Sequence, residues 1–260
     1  MGSLGIVFRN FFRRVLLQPG WLLPNIGLPL GLVVLNLAVG FNMMGDVDSG
    51  VRAAQATAVA ALFTIAFQFF SGEVLMSFIY SELRGPVSSR LFVSPVPKSV
   101  FLIGAVLASW VYNLVQAAAI FGISALVFDV RIGDPFVLVA VILIVSVMSQ
   151  LLSAMISLIV SKRKTGVGIQ MIMCFGFMFL SGALFIPLGN SAPAVFIQSY
   201  GTPLGLAWRA ILYSGVTQEN MRQSMINLGI LTAITALLAL IVFALNRSAN
   251  KVNLDGGRKA

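Results

Sequence analysis

The chain has 260 residues, of which 58% are hydrophobic and 10% are charged, and its mean hydropathy is +0.98. A soluble domain is only about half apolar, so this composition predicts a polytopic membrane protein. The chain has no histidine and one cysteine, Cys174, which argues against a metal site, a histidine-based hydrolase and a disulfide framework. The net charge of +9 comes from basic residues that flank apolar runs. This position indicates that they set the orientation of the chain in the membrane and do not bind nucleic acid.

Residues 1–20 predict a helix that lies in the membrane interface. They mix Phe and Leu with three arginines and end at Pro19 and Gly20, a pattern typical of an amphipathic helix on the inner leaflet. A secretory signal peptide is the alternative. The apolar run that follows is long for a signal peptide and contains two prolines, so we expect a retained helix.

Apolar runs of about 20 residues predict an all-α membrane protein with six transmembrane helices, because a run of that length spans the hydrocarbon core. The chain is expected to form a single transmembrane domain over residues 1–260. The predicted spans are residues 21–40, 56–80, 100–128, 136–160, 166–187 and 225–246.

The basic residues predict the orientation of these spans. Six crossings place both termini on one side, and that side receives 13 of the 17 basic residues. The opposite side receives Arg52, Arg131, Arg209 and Arg222 together with most of the acidic residues. The positive-inside rule therefore predicts that both termini lie in the cytoplasm.

The segment "APAVFIQSYGTPLGLAWRAILYSG" is apolar enough to suggest a seventh crossing. Gly201, Pro203 and Gly205 interrupt it, and a crossing would export the basic C-terminal tail. Residues 188–222 are therefore expected to form an outer re-entrant segment of two half-helices, which is allowed if the broken backbone is buried against protein. An amphipathic loop on the outer surface is the alternative.

The loop at residues 82–98 reads "E-L-R-G-P-V-S-S-R-L-F-V-S-P-V-P-K". Its acidic residue, glycine, arginine and proline resemble in spacing the cytoplasmic loop of ABC-2 type permeases, in the branch that contains the daunorubicin-type drug exporters. The resemblance extends to the basic N-terminal helix, the six spans and the broken segment before the last span. It therefore covers nearly the whole chain.

The resemblance implies that this loop carries a short coupling helix that docks on a separate ATPase subunit. Pro86 suits the first turn of such a helix, and later prolines end it. Leu91 and Phe92 would anchor in a pocket while Arg90 pairs with an acidic rim. The alternative is that the charges only obey the positive-inside rule, which does not explain the apolar pair. The residues assigned to ATPase coupling are Glu82, Arg84, Gly85, Arg90, Leu91, Phe92 and Pro95.

The chain contains no Gly-Lys dipeptide, so it lacks the usual phosphate-binding loop. It is therefore expected to be a transport subunit and not an enzyme, and to bind no cofactor itself. The resemblance implies that ATP and Mg bind the partner ATPase, and that two permease copies or two paralogous permeases sit on two such ATPase subunits.

Glu73 lies within the second predicted span, where a carboxylate costs several kcal/mol unless it is protonated, paired or hydrated. It is a candidate for the substrate path, together with Gln68, Asn113 and Gln116. The alternative is structural. Glu73 would then reach a hydrated vestibule or a neighbouring helix, and the amides would form interhelical hydrogen bonds, which the sequence favours for them.

The sequence thus predicts the permease of an ABC exporter in the plasma membrane of a prokaryote. An apolar interior rich in Phe and Met suits amphipathic drug-like or lipid-like substrates. The alternatives are export of a polysaccharide or another lipid-linked glycan, and a secondary transporter or channel outside the ABC class. Repeated halves with paired interrupted spans would favour a secondary transporter, but only one interrupted segment is evident.

Overall fold

The structure is a computed structural model, and it describes residues 3–17, 19–44, 48–83, 98–128, 130, 133–182, 191–214 and 218–256. These residues contain helices and no strand. In chain order the helices are α1 (Ser3–Leu16), α2 (Pro19–Leu22), α3 (Leu28–Met44), α4 (Ser49–Ser71), α5 (Glu73–Phe78), α6 (Lys98–Phe128), α7 (Pro135–Ile159), α8 (Arg163–Leu180), α9 (Ala192–Tyr200), α10 (Pro203–Tyr213) and α11 (Gln218–Gly256). π-Helical turns at Leu23–Gly27 and Ile79–Leu83 join α2 to α3 and extend α5.

The all-α membrane architecture is confirmed. Within the described residues, five helical stretches are long and apolar enough to cross a bilayer: Leu23–Asn42, Ser49–Glu82, Ser99–Phe128, Pro135–Ile159 and Asn220–Arg247. The predicted span at residues 166–187 coincides with α8, which ends at Leu180, and residues 183–190 lie outside the described part. The count of six spans stays a prediction.

The second span begins earlier than its apolar run. Helix α4 starts at Ser49, although the sequence predicts a span from residue 56. Its first two turns are helical but polar, with Arg52 and Gln55 among them. A search for apolar residues alone misses such turns because backbone hydrogen bonding does not require an apolar side chain.

The second span is the centre of the molecule. About 89% of an 18-residue apolar stretch within Ser49–Glu82 is buried, against 17% of the corresponding stretch within Asn220–Arg247. Helix α4 packs against α3, α6, α7, α8 and α10. Ala53, Ala56 and Ala60 are buried on it, and such small side chains let neighbouring helices approach closely.

Helix α1 packs along α6. Val7, Phe11 and Val15 recur every four residues, so they share one helix face, and all three are buried. Gly104 on α6 permits the close approach, because a Cβ there would lie 2.6 Å from Cγ1 of Val7. The predicted amphipathic helix is therefore present, with its apolar face turned to protein.

The broken segment before the last span contains two short helices, as the sequence predicts. Thr202 caps α10, because its Oγ1 accepts a hydrogen bond of 3.0 Å from the backbone N–H of Gly205. Trp208 ties α10 to α4 by donating its Nε1–H to the carbonyl of Ala58 at 2.9 Å. Helix α10 is mostly buried while α9 is mostly exposed. Their position on the outer side stays a prediction.

Candidate functional site

A cavity of about 640 Å³ lies between the first span, the second span and α8. Most of its lining is apolar. The lining side chains that matter for its chemistry are Asn25, Leu28, Leu32, Asn36, Phe63, Phe67, Phe70, Glu73, Arg163, Met171, Phe175 and Met178.

Helical periodicity explains why these residues meet. On α4 the three phenylalanines stand at positions 63, 67 and 70, and on α8 the residues at 171, 175 and 178 repeat the same spacing. Positions i, i+4 and i+7 share one face of a helix. The two faces touch where the rings of Phe70 and Phe175 pack edge to face with centroids 5.2 Å apart.

The cavity is elongated along the helix axes. From Phe63 to Glu73 the second span advances ten residues, which corresponds to about 15 Å at 1.5 Å per residue. On α8 the lining extends from Arg163 to Met178, which is about 22 Å by the same rise. Its charged residues lie at the end where α8 begins, and the rest of its length is lined mainly by Phe, Leu and Met.

Glu73 and Arg163 face this charged end. Glu73 is half-buried directly after Gly72, and Arg163 is exposed at the first turn of α8. The two groups carry opposite formal charges and line the same cavity. The ion pair found among the described residues joins Arg14 and Glu82, so Glu73 and Arg163 share the cavity without forming an ion pair.

The amides predicted for the substrate path lie elsewhere. Gln68, Asn113 and Gln116 are all 0% exposed and donate hydrogen bonds to backbone carbonyls. Asn113 Nδ2 bonds the Gln68 carbonyl at 3.2 Å, and Gln116 Nε2 bonds the Phe67 carbonyl at 3.1 Å. Gln68 Nε2 reaches the Ile142 carbonyl on α7 at 3.3 Å. The structure brings the three together, in an arrangement that favours helix packing.

The same backbone stretch has partners that the sequence analysis missed. Ser149 Oγ donates to the Gln68 carbonyl at 2.6 Å, and Gln170 Nε2 donates to the Phe69 carbonyl at 2.8 Å. Ser153 Oγ then bonds Gln170 Oε1 at 3.0 Å. The one signal in the sequence is the serine spacing of four residues on α7, which places both hydroxyls on one helix face.

Gly72 lies within this hydrogen-bonded cluster. A Cβ at Gly72 would collide with Ser153 Oγ and would lie 2.6 Å from Gln170 Nε2 and 2.8 Å from the Ser149 carbonyl oxygen. Glycine is therefore needed where α4 gives way to α5. The close approach also fixes Glu73, the next residue, at the cavity.

Glu82 is the one residue assigned to ATPase coupling that the structure describes. Arg14 Nη1 donates to Glu82 Oε1 at 2.7 Å, which links α1 to the end of the second span. Beside this contact, the rings of Phe11 and Phe78 pack with their centroids 4.6 Å apart. Arg84, Gly85, Arg90, Leu91, Phe92 and Pro95 lie outside the described residues.

A second cavity of about 640 Å³ lies between α6, α7 and α11 and reaches the end of the second span. Aliphatic side chains form most of its lining, with Gln150, Ser157 and Asn246 among the polar members. None of its lining side chains within the described part of the chain is charged. Among the two described cavities, the one at Glu73 combines an apolar length with a charged end.

A comparison with protein families supports the resemblance seen in the loop. The family model described as "ABC-2 family transporter protein" matches residues 33–244. The match includes the second span, α8 and the broken segment. No curated protein matches the chain.

Proposed function

Because the chain belongs to the ABC-2 transporter family, we propose that it exports amphipathic drug-like or lipid-like molecules as the permease subunit of an ATP-driven transporter. Membership makes it a multi-pass membrane protein with an ABC ATPase as partner. The daunorubicin-type branch remains a hypothesis that rests on the loop at residues 82–98.

The cavity at Glu73 is the observation that carries the choice of substrate. Its length is lined by Phe, Leu and Met, and its charged residues lie at one end. An amphipathic molecule has the same division between an apolar body and a polar head. Most of the lining offers no hydrogen-bond donor or acceptor, so the hydroxyl groups of a glycan would lose their water without replacement. The cavity therefore favours an amphiphile over a polysaccharide.

The energy for transport is proposed to come from the partner ATPase. The chain has no phosphate-binding loop sequence, and ATP with Mg would bind the partner. The loop at residues 82–98 would dock on that subunit. Glu82, at its start, is tied to α1 by Arg14, so a movement of the loop would be transmitted to the interfacial helix as well as to the second span.

The assembly is proposed to contain two permeases, identical or paralogous, on two ATPase subunits in the plasma membrane of a prokaryote. Both termini would lie in the cytoplasm, with α1 on the inner leaflet. The charged end of the cavity, where α8 begins, would then face the cytoplasm. An exporter has to load its substrate from that side.

Purification of the tagged permease tests this proposal. We expect an ABC ATPase to copurify, and its hydrolysis of ATP to increase when hexadecylphosphocholine, a single-chain amphiphile, is added. A soluble oligosaccharide of equal concentration serves as the control. Stimulation by the oligosaccharide alone would favour glycan export, and the absence of any copurifying ATPase would contradict the ABC assignment.

A further inference from the structure

Resting on the proposed function, we propose that the cavity selects zwitterionic amphiphiles, with Glu73 binding the cationic part and Arg163 the anionic part of one headgroup. The inference deepens the export proposal by naming the substrate class. It concerns two side chains that the sequence analysis assigned to different roles, since Arg163 counted there only toward membrane orientation.

The cavity carries charges of both signs. Glu73 alone would favour cations, but Arg163 lines the same cavity and carries the opposite charge. A purely cationic amphiphile gains attraction from Glu73 and meets repulsion from Arg163, and an anionic one meets the reverse. A headgroup that carries both charges gains attraction from both residues.

Glu73 and Arg163 both line the cavity but do not pair with each other. Among the described residues an ion pair joins Arg14 to Glu82, and none joins Glu73 to Arg163. Gly72 fixes Glu73 by its close contact with α7 and α8, and Arg163 begins α8. Two opposite charges that line one cavity end without pairing with each other can each take a group of the ligand as partner.

Each of the two residue types suits one part of a zwitterionic headgroup. A guanidinium binds phosphate or carboxylate oxygens through paired N–H groups, which gives the anionic part a defined position. A carboxylate in a largely apolar surrounding attracts an ammonium group strongly. The two side chains thus match a headgroup in which phosphate and ammonium stand a few bonds apart.

The apolar faces of α4 and α8 offer a place for the tail. The phenylalanines of α4 and the Met171–Phe175–Met178 face of α8 each cover about 10 Å beyond the charged end by helix rise. Burying a hydrocarbon chain there is favourable because it removes methylene groups from water. The neighbouring Lys162 and Lys164 do not line the cavity, so they would not contact the headgroup directly.

Binding to the purified permease, without its ATPase, tests the inference. The probes are radiolabelled hexadecylphosphocholine, hexadecyltrimethylammonium and hexadecyl sulfate, which share one chain and differ in headgroup charge. The protein is kept in a non-ionic maltoside detergent. We expect the zwitterion to bind about tenfold more tightly than either singly charged probe.

Single neutral variants assign each charge. Glu73→Gln should abolish the preference over the sulfate, and Arg163→Gln should abolish the preference over the ammonium probe. Asp134→Asn is one matched control, because asparagine retains the helix cap at the start of α7. Lys164→Gln is the second, because Lys164 is beside Arg163 but outside the cavity lining. The exchange of Glu73→Arg with Arg163→Glu should restore selectivity, and the single variants decide the matter if the exchange does not fold.

Affinities of the wild type for the three probes that agree within twofold would overturn the inference. Equal effects of the cavity variants and the controls on these affinities would overturn it as well.

Competition by phosphatidylcholine distinguishes the source of the ligand. Displacement indicates a membrane lipid, and its absence indicates a free single-chain amphiphile; either supports the shared headgroup chemistry. Because no ATPase is present, selectivity without export would refute only the export proposal. Export without selectivity would refute only this inference.

Discussion

Gly72 has no Cβ, and this lets the second span approach α7 and α8 closely. The serine and glutamine side chains that surround it bond the carbonyls of Gln68 and Phe69. The sequence shows a glycine within an apolar span but does not show which helix it faces. Residue types can be read from the sequence, whereas their register against a distant helix depends on the packed fold.

Gly72→Ala should destabilise the permease. The added Cβ would lie 2.8 Å from the Ser149 carbonyl oxygen, which belongs to the backbone and has little freedom to move. Overpacking of this kind costs about 1–3 kcal/mol. We expect a lower midpoint of thermal unfolding for the purified protein in detergent.

Gly168→Ala is the matched control, because a Cβ at Gly168 on α8 meets nothing within 4 Å. Alanine is favoured over glycine within a helix by up to about 1 kcal/mol. The control should therefore unfold at the same temperature as the wild type or slightly above it. Equal midpoints for the Gly72 and Gly168 variants would contradict the close-contact account.

Gln116→Leu separates the two interpretations of the buried amides. Its Nε2 bonds the Phe67 carbonyl within the helix interface, and hydrogen bonds between membrane helices contribute about 0.6–1.7 kcal/mol. We expect lower thermal stability with unchanged affinity of the folded fraction for hexadecylphosphocholine. Unchanged stability with weaker binding would instead place Gln116 in the substrate path.

At the scale of single elements, the sequence predicts most helices because apolar runs and amphipathic spacing are local properties. Helix α1 and the pair α9 and α10 follow from such patterns. The interruptions of helices are less local. The turn at Gly72 lies in close contact with α7 and α8, and no single stretch of sequence contains both sides of that contact.

The loop between the second and third spans is the element whose function is most directly testable. Arg90→Glu, or Leu91 and Phe92 both changed to Ala, should abolish association with the ATPase while the permease still inserts in the membrane. These side chains are proposed to face the partner and not the bilayer. Pull-down of the ATPase with each variant, after equalising permease amounts in the membrane, checks this expectation.

A matched control for these variants is Lys164→Gln, which removes a basic residue from another loop on the same predicted side of the membrane. It should leave ATPase association intact. Undiminished ATPase binding by both loop variants would exclude the docking role and would leave the positive-inside explanation of the loop.

At the scale of the whole molecule, hydropathy and charge predict a membrane protein of helices, while the cavity depends on three elements that are distant in the chain. The sequence identifies Glu73 because an acid in an apolar run is conspicuous. Arg163 is missed because it stands between two lysines, and the positive-inside rule already accounts for all three basic residues. Only the packing of α8 beside the second span shows that the two charges face one cavity.

The topology can be tested with single cysteines in a Cys174→Ser background. Asn190→Cys and Glu219→Cys should react with an impermeant thiol reagent from outside, since both lie near the ends of the proposed outer re-entrant segment, residues 188–222. Ser161→Cys and Gly257→Cys should react only after the membrane is permeabilised. Opposite labelling of positions 190 and 219 would mean that the broken segment crosses the membrane.

Transport in inside-out membrane vesicles tests the central claim most directly. Vesicles that contain the permease and its ATPase are given labelled hexadecylphosphocholine, with or without ATP. The account predicts accumulation that requires ATP and both subunits, and that is lost when Leu91 and Phe92 are both changed to Ala. Accumulation that proceeds without ATP or without the ATPase, or no accumulation with both present, would contradict it.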